Sequence, residues 1–132
     1  MKKLNKVLLV DDDPASNFLS KMTIVENDQT TLVDEVKNGR EALEYLLSAD
    51  ACPELILLDL NMPVIDGMEF LEIYKGYVKC KDYSKIVILT SSKRTNDKTQ
   101  ALNSGLVSDF IEKPLTEDAF RILVEKHFSN NI

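Results

Sequence analysis

The sequence contains little of what several common kinds of functional site require. It has one histidine, no tryptophan and two cysteines among 132 residues. The single histidine, His127, lies near the end of the chain, so catalysis by clustered imidazoles is excluded. Cys52 and Cys80 do not have the spacing of a metal-binding pair, and we expect two reduced thiols with no redox role.

Long apolar runs and a basic surface are also missing. No stretch approaches the roughly 20 apolar residues that a membrane span needs. The basic segment 1–6 is followed by only four apolar residues and then three acids, which argues against a signal peptide. The 16 basic and 22 acidic residues give a net charge of −6, which argues against direct binding to nucleic acid. We expect a cytoplasmic protein with no membrane partner.

Short apolar runs alternate along the chain with segments of helical period, a pattern typical of βαβ units. The pattern predicts strands at 7–10, 32–36, 55–58, 86–89 and 109–111, the second of them at a sheet edge. The helices between them predict right-handed crossovers. The expected fold is a doubly wound α/β domain, flavodoxin-like, with an open parallel five-stranded sheet of order 2-1-3-4-5. A length of 132 residues fits one such domain.

The predicted helices have recognisable starts and inner faces. Asp13 before Pro14, Asn38 three residues before Glu41, and Thr116 are expected to cap the first, second and fifth helices. Helical spacing assigns four groups of residues to the buried faces of the first, second, third and fifth helices. In that order they are Phe18, Leu19, Met22 and Val25; Ala42, Leu43, Leu46 and Leu47; Met68, Leu71 and Tyr74; and Phe120, Leu123, Val124 and Phe128.

Ionic and polar side chains stand where the predicted strands end. Asp11 and Asp12 follow the first strand, Asp59 the third, Thr90 the fourth and Lys113 the fifth. A buried carboxylate costs several kcal/mol unless a partner compensates it. Because the carboxyl ends of parallel strands meet at one edge of a sheet, these side chains should converge there.

The types of side chain in this group indicate phosphoryl transfer. Clustered carboxylates raise one another's pKa, and a divalent cation resolves their repulsion. Mg²⁺ binds one or two carboxylates and takes phosphate oxygens as further ligands. An aspartate can itself be the nucleophile, while Thr90 and Lys113 can hold phosphoryl oxygens. We therefore predict Mg²⁺-dependent transfer of a phosphoryl group to Asp59.

Four motifs carry a family resemblance that spans essentially the whole chain. They are LLVDD at 8–12, LLDLNMPVIDG at 57–67, LTSS at 89–92 and DFIEKP at 109–114. In this order and spacing they resemble the receiver domain of two-component response regulators, of the chemotaxis-regulator type. The resemblance implies a phosphoacceptor signalling domain rather than an enzyme. Such a domain promotes its own phosphorylation and autodephosphorylation. Its phosphoryl donor would be a sensor histidine kinase or a phosphotransfer protein.

The resemblance also implies a set of metal ligands. Asp59 would be the phosphoacceptor and would share Mg²⁺ with Asp12, its direct ligand. Asp11 would hold the metal largely through water, and Asn61 would contribute its backbone carbonyl. Asp13 is instead interpreted as a helix cap.

A switch is implied as well. Thr90 and Lys113 would bind the phosphoryl oxygens, and the peptide bond from Lys113 to Pro114 would be cis. Phe110 would turn inward when Thr90 shifts, which would reshape the face formed by the fourth helix, fifth strand and fifth helix. A plain core role for Phe110 is the competing interpretation.

One segment departs from the family pattern. The stretch 105–113 is one residue longer than usual, with Leu106-Val107-Ser108 where a shorter connection is common. The active site should be unaffected, but partner recognition near the fourth helix and fifth strand could differ.

Three functional hypotheses remain open. The chain could be a stand-alone receiver without an output domain, monomeric or weakly dimeric when phosphorylated, that signals to an unidentified downstream protein. It could instead be a piece of a hybrid kinase or larger regulator, although Met1 favours the first hypothesis. A Mg²⁺-dependent phosphohydrolase is the third, but such enzymes place an acid two residues after the nucleophile, where this chain has Asn61.

Overall fold

The computed structural model describes residues 4–60, 62, 65–77, 79–91 and 95–128. Strands and helices alternate throughout, as the sequence pattern predicts. The elements are β1 Lys6–Val10, α1 Pro14–Asn27, β2 Leu32–Val36, α2 Gly39–Ser48, β3 Leu55–Leu58, α3 Gly67–Tyr77, β4 Lys85–Thr90, α4 Thr95–Asn103, β5 Val107–Glu112 and α5 Glu117–Phe128. None of the described helices has the length and apolar content that crossing a membrane demands.

The five strands form one parallel sheet in the order β2-β1-β3-β4-β5. The predicted α/β class, strand order and edge position of β2 are therefore confirmed. Every residue of the central strand β3 is buried, which agrees with its unbroken run of leucine and isoleucine.

Successive residues of the inner strands point to opposite faces of the sheet and supply two hydrophobic clusters. Val7 and Leu9 pack in one cluster with Ile24 of α1 and apolar residues of α5. Leu8 and Val10 pack in the other with apolar residues of α2, α3 and α4. Helices thus cover both faces, and both ends of the sheet are left to loops.

The predicted helix caps are confirmed. The Asp13 carboxylate accepts from the Ala15 amide at 3.0 Å, and the Thr116 hydroxyl accepts from the Ala119 amide at 3.1 Å. At α2, the Asn38 side chain accepts from the amide of Glu41 at 2.9 Å.

Asp66 caps the start of α3. Its carboxylate accepts from the Glu69 amide at 2.9 Å, while the Glu69 carboxylate accepts from the Asp66 amide at 3.2 Å. This reciprocal pair is the arrangement of a capping box.

The predicted buried face of α1 is wrong. Phe18 and Leu19 are more than half exposed, at 59% and 57%, and the buried residues of the helix are Asn17, Ser20 and Ile24. The buried Asn17 side chain donates to the Asp11 carbonyl oxygen at 3.0 Å. A polar contact with the end of β1 therefore lies where an apolar one was predicted.

Two further residues assigned to buried faces are also exposed. Met22 is 43% exposed on α1, and Leu47 is 49% exposed on α2. Met22 lies on the side of α1 opposite Asn17, Ser20 and Ile24, whereas Leu47 lies at the margin of the buried face of α2.

The expectation of two reduced thiols is also wrong, because Cys52 and Cys80 form a disulfide. Their separation of 28 residues gives no local signal of pairing. β3 and β4 are adjacent and parallel, however, so the loops that enter them meet at the same end of the sheet. There the two Cα atoms lie 5.6 Å apart, a distance that a disulfide can span.

Segment 105–113, which we expect to be one residue longer than the family pattern, contains a bulge within β5. Ile86 of β4 pairs with Val107, whereas the next residue, Val87, pairs with Asp109. Ser108 is therefore an unpaired bulge residue, and the ladder beyond it continues in register to Thr90. The bulge leaves the end of β5 aligned with the end of β4.

An ionic cluster ties β5 to α5. The Asp109 carboxylate lies 2.9 Å from Nε2 of His127 and 3.6 Å from Nζ of Lys126. Burial by itself would raise the pKa of Asp109, but the hydrogen bonds from His127 and the Phe110 amide and the charge of Lys126 outweigh burial. The pKa of Asp109 is therefore held below its ordinary value.

Asp109→Asn should lower the free energy of unfolding near neutral pH, by about 1 kcal/mol or less because the cluster is partly exposed. A lowered folded-state pKa gives a contribution that is complete above the ordinary value of 3.8 and disappears as the pH falls through the folded-state pKa. Urea unfolding at a series of pH values should show the two proteins converging in acid. The exposed Asp50→Asn variant controls for loss of one surface charge, and a constant difference for Asp109→Asn would contradict the assignment.

Candidate functional site

Three carboxylates meet where β1 and β3 end. One oxygen from each of Asp11, Asp12 and Asp59 lies within 4.8 Å of the others. Asp11 and Asp59 are each only 5% exposed, whereas Asp12 is exposed to solvent. The predicted convergence of these residues is confirmed.

The backbone of the sheet positions these carboxylates. The Asp59 amide donates to the Val10 carbonyl at 3.0 Å, and the Asp11 amide donates to the Val36 carbonyl at 3.1 Å. Each aspartate thus extends the ladder of its strand by one hydrogen bond. The site is built on the rigid ends of central strands rather than on a free loop.

Lys113 supplies the positive charge of the site. Its Nζ atom lies 2.5 Å from Oδ2 of Asp11 and 3.2 Å from Oδ2 of Asp59. Burial would lower the pKa of Lys113, but the hydrogen bond to Asp11 and the charges of Asp59 and Asp11 outweigh it and raise that pKa. Lys113 therefore stays cationic.

The backbone around Lys113 is held in place as well. The Lys113 amide donates to the Thr90 carbonyl at 3.0 Å, so the ends of β4 and β5 stay joined. The peptide bond from Lys113 to Pro114 is cis, as the family resemblance implies.

Thr90 engages the other oxygen of Asp59. Its side chain is fully buried, and its hydroxyl donates to Oδ1 of Asp59 at 2.7 Å. Lys113 donates to Oδ2, so the two oxygens of this carboxylate are held by different partners. The orientation of Asp59 is thereby defined.

The charges of the site favour binding of a cation. Among the residues that the structure describes, three carboxylates face one lysine, which gives an excess of negative charge in a partly buried place. Carboxylate oxygens are hard ligands of the kind that Mg²⁺ prefers. The donor set therefore fits a hard divalent cation. Asn61, predicted to add a carbonyl ligand, lies outside the described residues.

Sequence reasoning missed one supporting residue, Asn17. Its buried side-chain amide donates to the Asp11 carbonyl at 3.0 Å, and the Asp13 amide donates to Oδ1 of Asp11 at 2.9 Å. Together they orient Asp11 towards Lys113. The available signal was an asparagine one helical turn after the cap Asp13, among residues predicted to face the core.

Phe110, the predicted switch residue, lies on β5. It is partly buried, packs against the cluster formed with α2, α3 and α4, and pairs with Ile88 of β4. Its amide donates to the Asp109 carboxylate at 2.8 Å. Phe110 is therefore neither fully in the core nor fully in solvent.

Comparison with known proteins places this geometry in a family. Residues 7–125 match the response regulator receiver domain. A crystal structure of a two-component response regulator from Cytophaga hutchinsonii is similar, with a TM-score of 0.84, 33% identity and coverage of 95% of this chain and 97% of that chain. The two-component response regulator ORR41 of Oryza sativa subsp. japonica is 28% identical, over 95% of both chains.

Longer regulators match as well. The transcriptional regulatory protein CitT of Halalkalibacterium halodurans is 29% identical over 89% of this chain, which corresponds to 50% of that protein. The chain spans about half the length of several curated relatives that it matches. The match across most of its residues and the acidic site at the strand ends lead to one conclusion: this chain belongs to the family of response regulator receiver domains.

Proposed function

We propose that the chain is a receiver that accepts a phosphoryl group on Asp59 from the phosphohistidine of a sensor kinase or phosphotransfer protein. The observation that carries this proposal is the double engagement of the Asp59 carboxylate, by Thr90 at Oδ1 and by Lys113 at Oδ2. A hydroxyl and an ammonium group so placed can each take up a phosphoryl oxygen. Acceptance by Asp59 makes the chain a signalling domain rather than an enzyme with a separate substrate.

The transfer would proceed by attack of an Asp59 oxygen on phosphorus. The P–N bond of the phosphohistidine breaks, and the imidazole nitrogen leaves with the electron pair. Lys113 then stabilises negative charge on the phosphoryl oxygens, and the Thr90 hydroxyl donates to another of them. Both side chains already lie at the acceptor, so little rearrangement precedes the reaction.

Asp11, Asp12 and Asp59 would hold Mg²⁺ beside this acceptor. When bound, the metal would neutralise part of the charge on the transferred group. Exposed Asp12 is the most accessible of the three carboxylates, and Asp11 is already paired with Lys113. This difference supports Asp12 as the direct ligand and Asp11 as the one that acts through water.

Phosphorylation would be transmitted through β4 and β5. Once Asp59 is modified, the Thr90 hydroxyl exchanges its hydrogen bond to Oδ1 for one to a phosphoryl oxygen, and Thr90 shifts. Phe110 lies two residues before Glu112, the partner of Thr90 in the β4–β5 ladder. An inward turn of Phe110 would reshape the face of α4, β5 and α5, which a downstream protein would recognise.

We further propose that residues 1–132 form one receiver domain that acts in the cytoplasm, since phosphoryl groups for such transfers derive from ATP. A monomer or a weak dimer that forms on phosphorylation fits this role. The alternative of a receiver within a larger regulator is supported by relatives about twice as long. A phosphohydrolase is disfavoured, because Asn61 occupies the position of the required acid.

Asp59→Asn should abolish phosphorylation by a small acyl phosphate in the presence of Mg²⁺. The amide cannot form an acyl phosphate at this position, although it can still fill the space of the carboxylate. Intact mass measurement should show one acid-stable, base-labile phosphoryl group on the unmodified sequence and none on the variant. Asp66→Asn is the matched control, since asparagine also caps a helix, and equal labelling of Asp59→Asn would contradict the proposal.

Asp12→Ala should weaken Mg²⁺ binding. Loss of a residue that hydrogen-bonds to a metal ligand commonly lowers metal affinity roughly tenfold or more. Loss of a direct ligand should lower it at least as much. Calorimetric titration with Mg²⁺ measures this change. The adjacent Asp13→Asn variant keeps the α1 cap and should bind as before; unchanged affinity in Asp12→Ala would remove Asp12 from the metal site.

Thr90→Val should separate phosphorylation from switching. The variant keeps the shape of the side chain but loses the hydroxyl, so Asp59 should still be labelled while Phe110 no longer responds. NMR shifts of Phe110 and of the described residues of β5 and α5, recorded with and without phosphorylation, report the response. Thr90→Ser retains the hydroxyl and should still switch, whereas a full response in Thr90→Val would refute the coupling.

A further inference from the structure

The end of the sheet opposite Asp59 carries a second chemical feature. Cys52 in the α2–β3 loop and Cys80 in the α3–β4 loop are joined by a disulfide. Both loops enter central strands, and the other ends of those strands carry Asp59 and Thr90. The disulfide and the phosphoacceptor are thus separated by the full length of β3.

Polar contacts also hold the two loops together. Nζ of Lys79 donates to the Ala49 carbonyl, and the buried Ser84 hydroxyl donates to the Pro53 carbonyl. These bonds flank the cysteines on both loops and do not involve sulfur. With the disulfide broken, they would keep the two thiols near each other and ready to re-form the bond.

The surrounding backbone reinforces the same junction. The Lys85 amide donates to the Glu54 carbonyl at 2.9 Å, and the Ser84 amide donates to the Cys80 carbonyl at 2.8 Å. The first bond starts the β3–β4 ladder, and the second closes the turn that contains Cys80. Neither bond requires an intact disulfide.

The two sulfurs differ in access. Cys80 is fully buried within the cluster that α2, α3 and α4 form with the sheet, whereas Cys52 is only partly buried at its margin. Thiol–disulfide exchange depends on which sulfur an incoming thiolate can reach. Cys52 is therefore the sulfur open to attack, and Cys80 is the protected partner.

The core does not need this bond in the way a minimal secreted domain does. Two apolar clusters cover both faces of the sheet, and 31 buried hydrophobic residues lie within the described part of the chain. Disulfides that occur in the cytoplasm are usually transient and redox-sensing rather than structural. This step rests on the cytoplasmic location proposed above.

We propose that Cys52 and Cys80 form a reversible thiol–disulfide exchange site for low-molecular-weight thiols such as glutathione. A thiolate attacks Sγ of Cys52, the bond between the cysteines breaks, and Cys80 leaves as a thiolate that takes a proton. The first thiol is now bound to Cys52 in a mixed disulfide. A second thiolate attacks the sulfur of that bound thiol, and Cys52 leaves as a thiolate that takes a proton. The protein gains two electrons and two protons, and two thiol molecules become one disulfide molecule.

The reverse sequence re-forms the bond with a small disulfide as the oxidant. A thiolate of Cys52 attacks the small disulfide and forms a mixed disulfide. Cys80, held nearby by the two loops, then displaces the small thiol. The α3–β4 loop is joined covalently to the α2–β3 loop in the oxidised state and is held to it by hydrogen bonds alone in the reduced state.

Equilibration of the full chain in glutathione buffers of graded redox ratio tests the proposal. Alkylation and mass measurement should show oxidised and reduced protein interconverting in both directions as the ratio changes. Reduced protein should still unfold cooperatively, with a Tm roughly 10 °C lower because a 28-residue loop is no longer closed. A disulfide that persists at every ratio, one that never forms, or loss of folding on reduction would each overturn the proposal.

Single-cysteine variants test the order of the exchange. Cys80→Ala should take up glutathione on Cys52 readily, and Cys52→Ala should react at least roughly tenfold more slowly because its remaining thiol is buried. Equal rates in two folded variants, or a faster reaction at Cys80, would contradict the assigned roles. Labelling of Asp59 by a small acyl phosphate, measured on the same samples, shows separately whether the phosphoacceptor functions.

Discussion

The buried Asp59 carboxylate is the group on which the rest of the site depends. An isolated charge in that position would cost several kcal/mol, and its partners must come from other strands because β3 itself is entirely apolar. Lys113 at the end of β5 and Thr90 at the end of β4 are those partners. The ends of three strands must therefore lie within hydrogen-bond distance of one another for the buried charge of Asp59 to be compensated.

That requirement accounts for several features at the same edge of the sheet. Asp11 shares Lys113 with Asp59, and Asn17 and the Asp13 amide orient Asp11. The β5 bulge at Ser108 absorbs one extra residue, so the end of β5 stays level with the end of β4. The bulge lies within β5 before Lys113, and the pairing beyond it continues in register to Thr90.

The two ends of β3 and β4 are held in different ways. At one end, a hydrogen bond from Thr90 to Asp59 links the strands, and the proposed phosphorylation of Asp59 would exchange this bond. At the other end, the covalent bond between Cys52 and Cys80 links the loops that enter them. The two proposed chemistries, phosphoryl transfer and thiol–disulfide exchange, would therefore act on the same pair of strands without sharing a residue.

The amino-acid sequence by itself predicted the α/β class and the ionic and polar residues that follow the strands, because unbroken apolar runs, helix caps and charges after strands are local signals. The tertiary structure decided the rest. The side of α1 that faces the sheet carries Asn17, which contacts Asp11, and Phe18 is exposed although burying such a side chain is worth about 1.5–3 kcal/mol. The Cys52–Cys80 bond likewise depends on two loops that meet only when β3 and β4 lie side by side. Periodicity along a chain predicts which elements form, whereas the rotation of a helix and the pairing of distant residues are set by contacts that exist only after those elements pack.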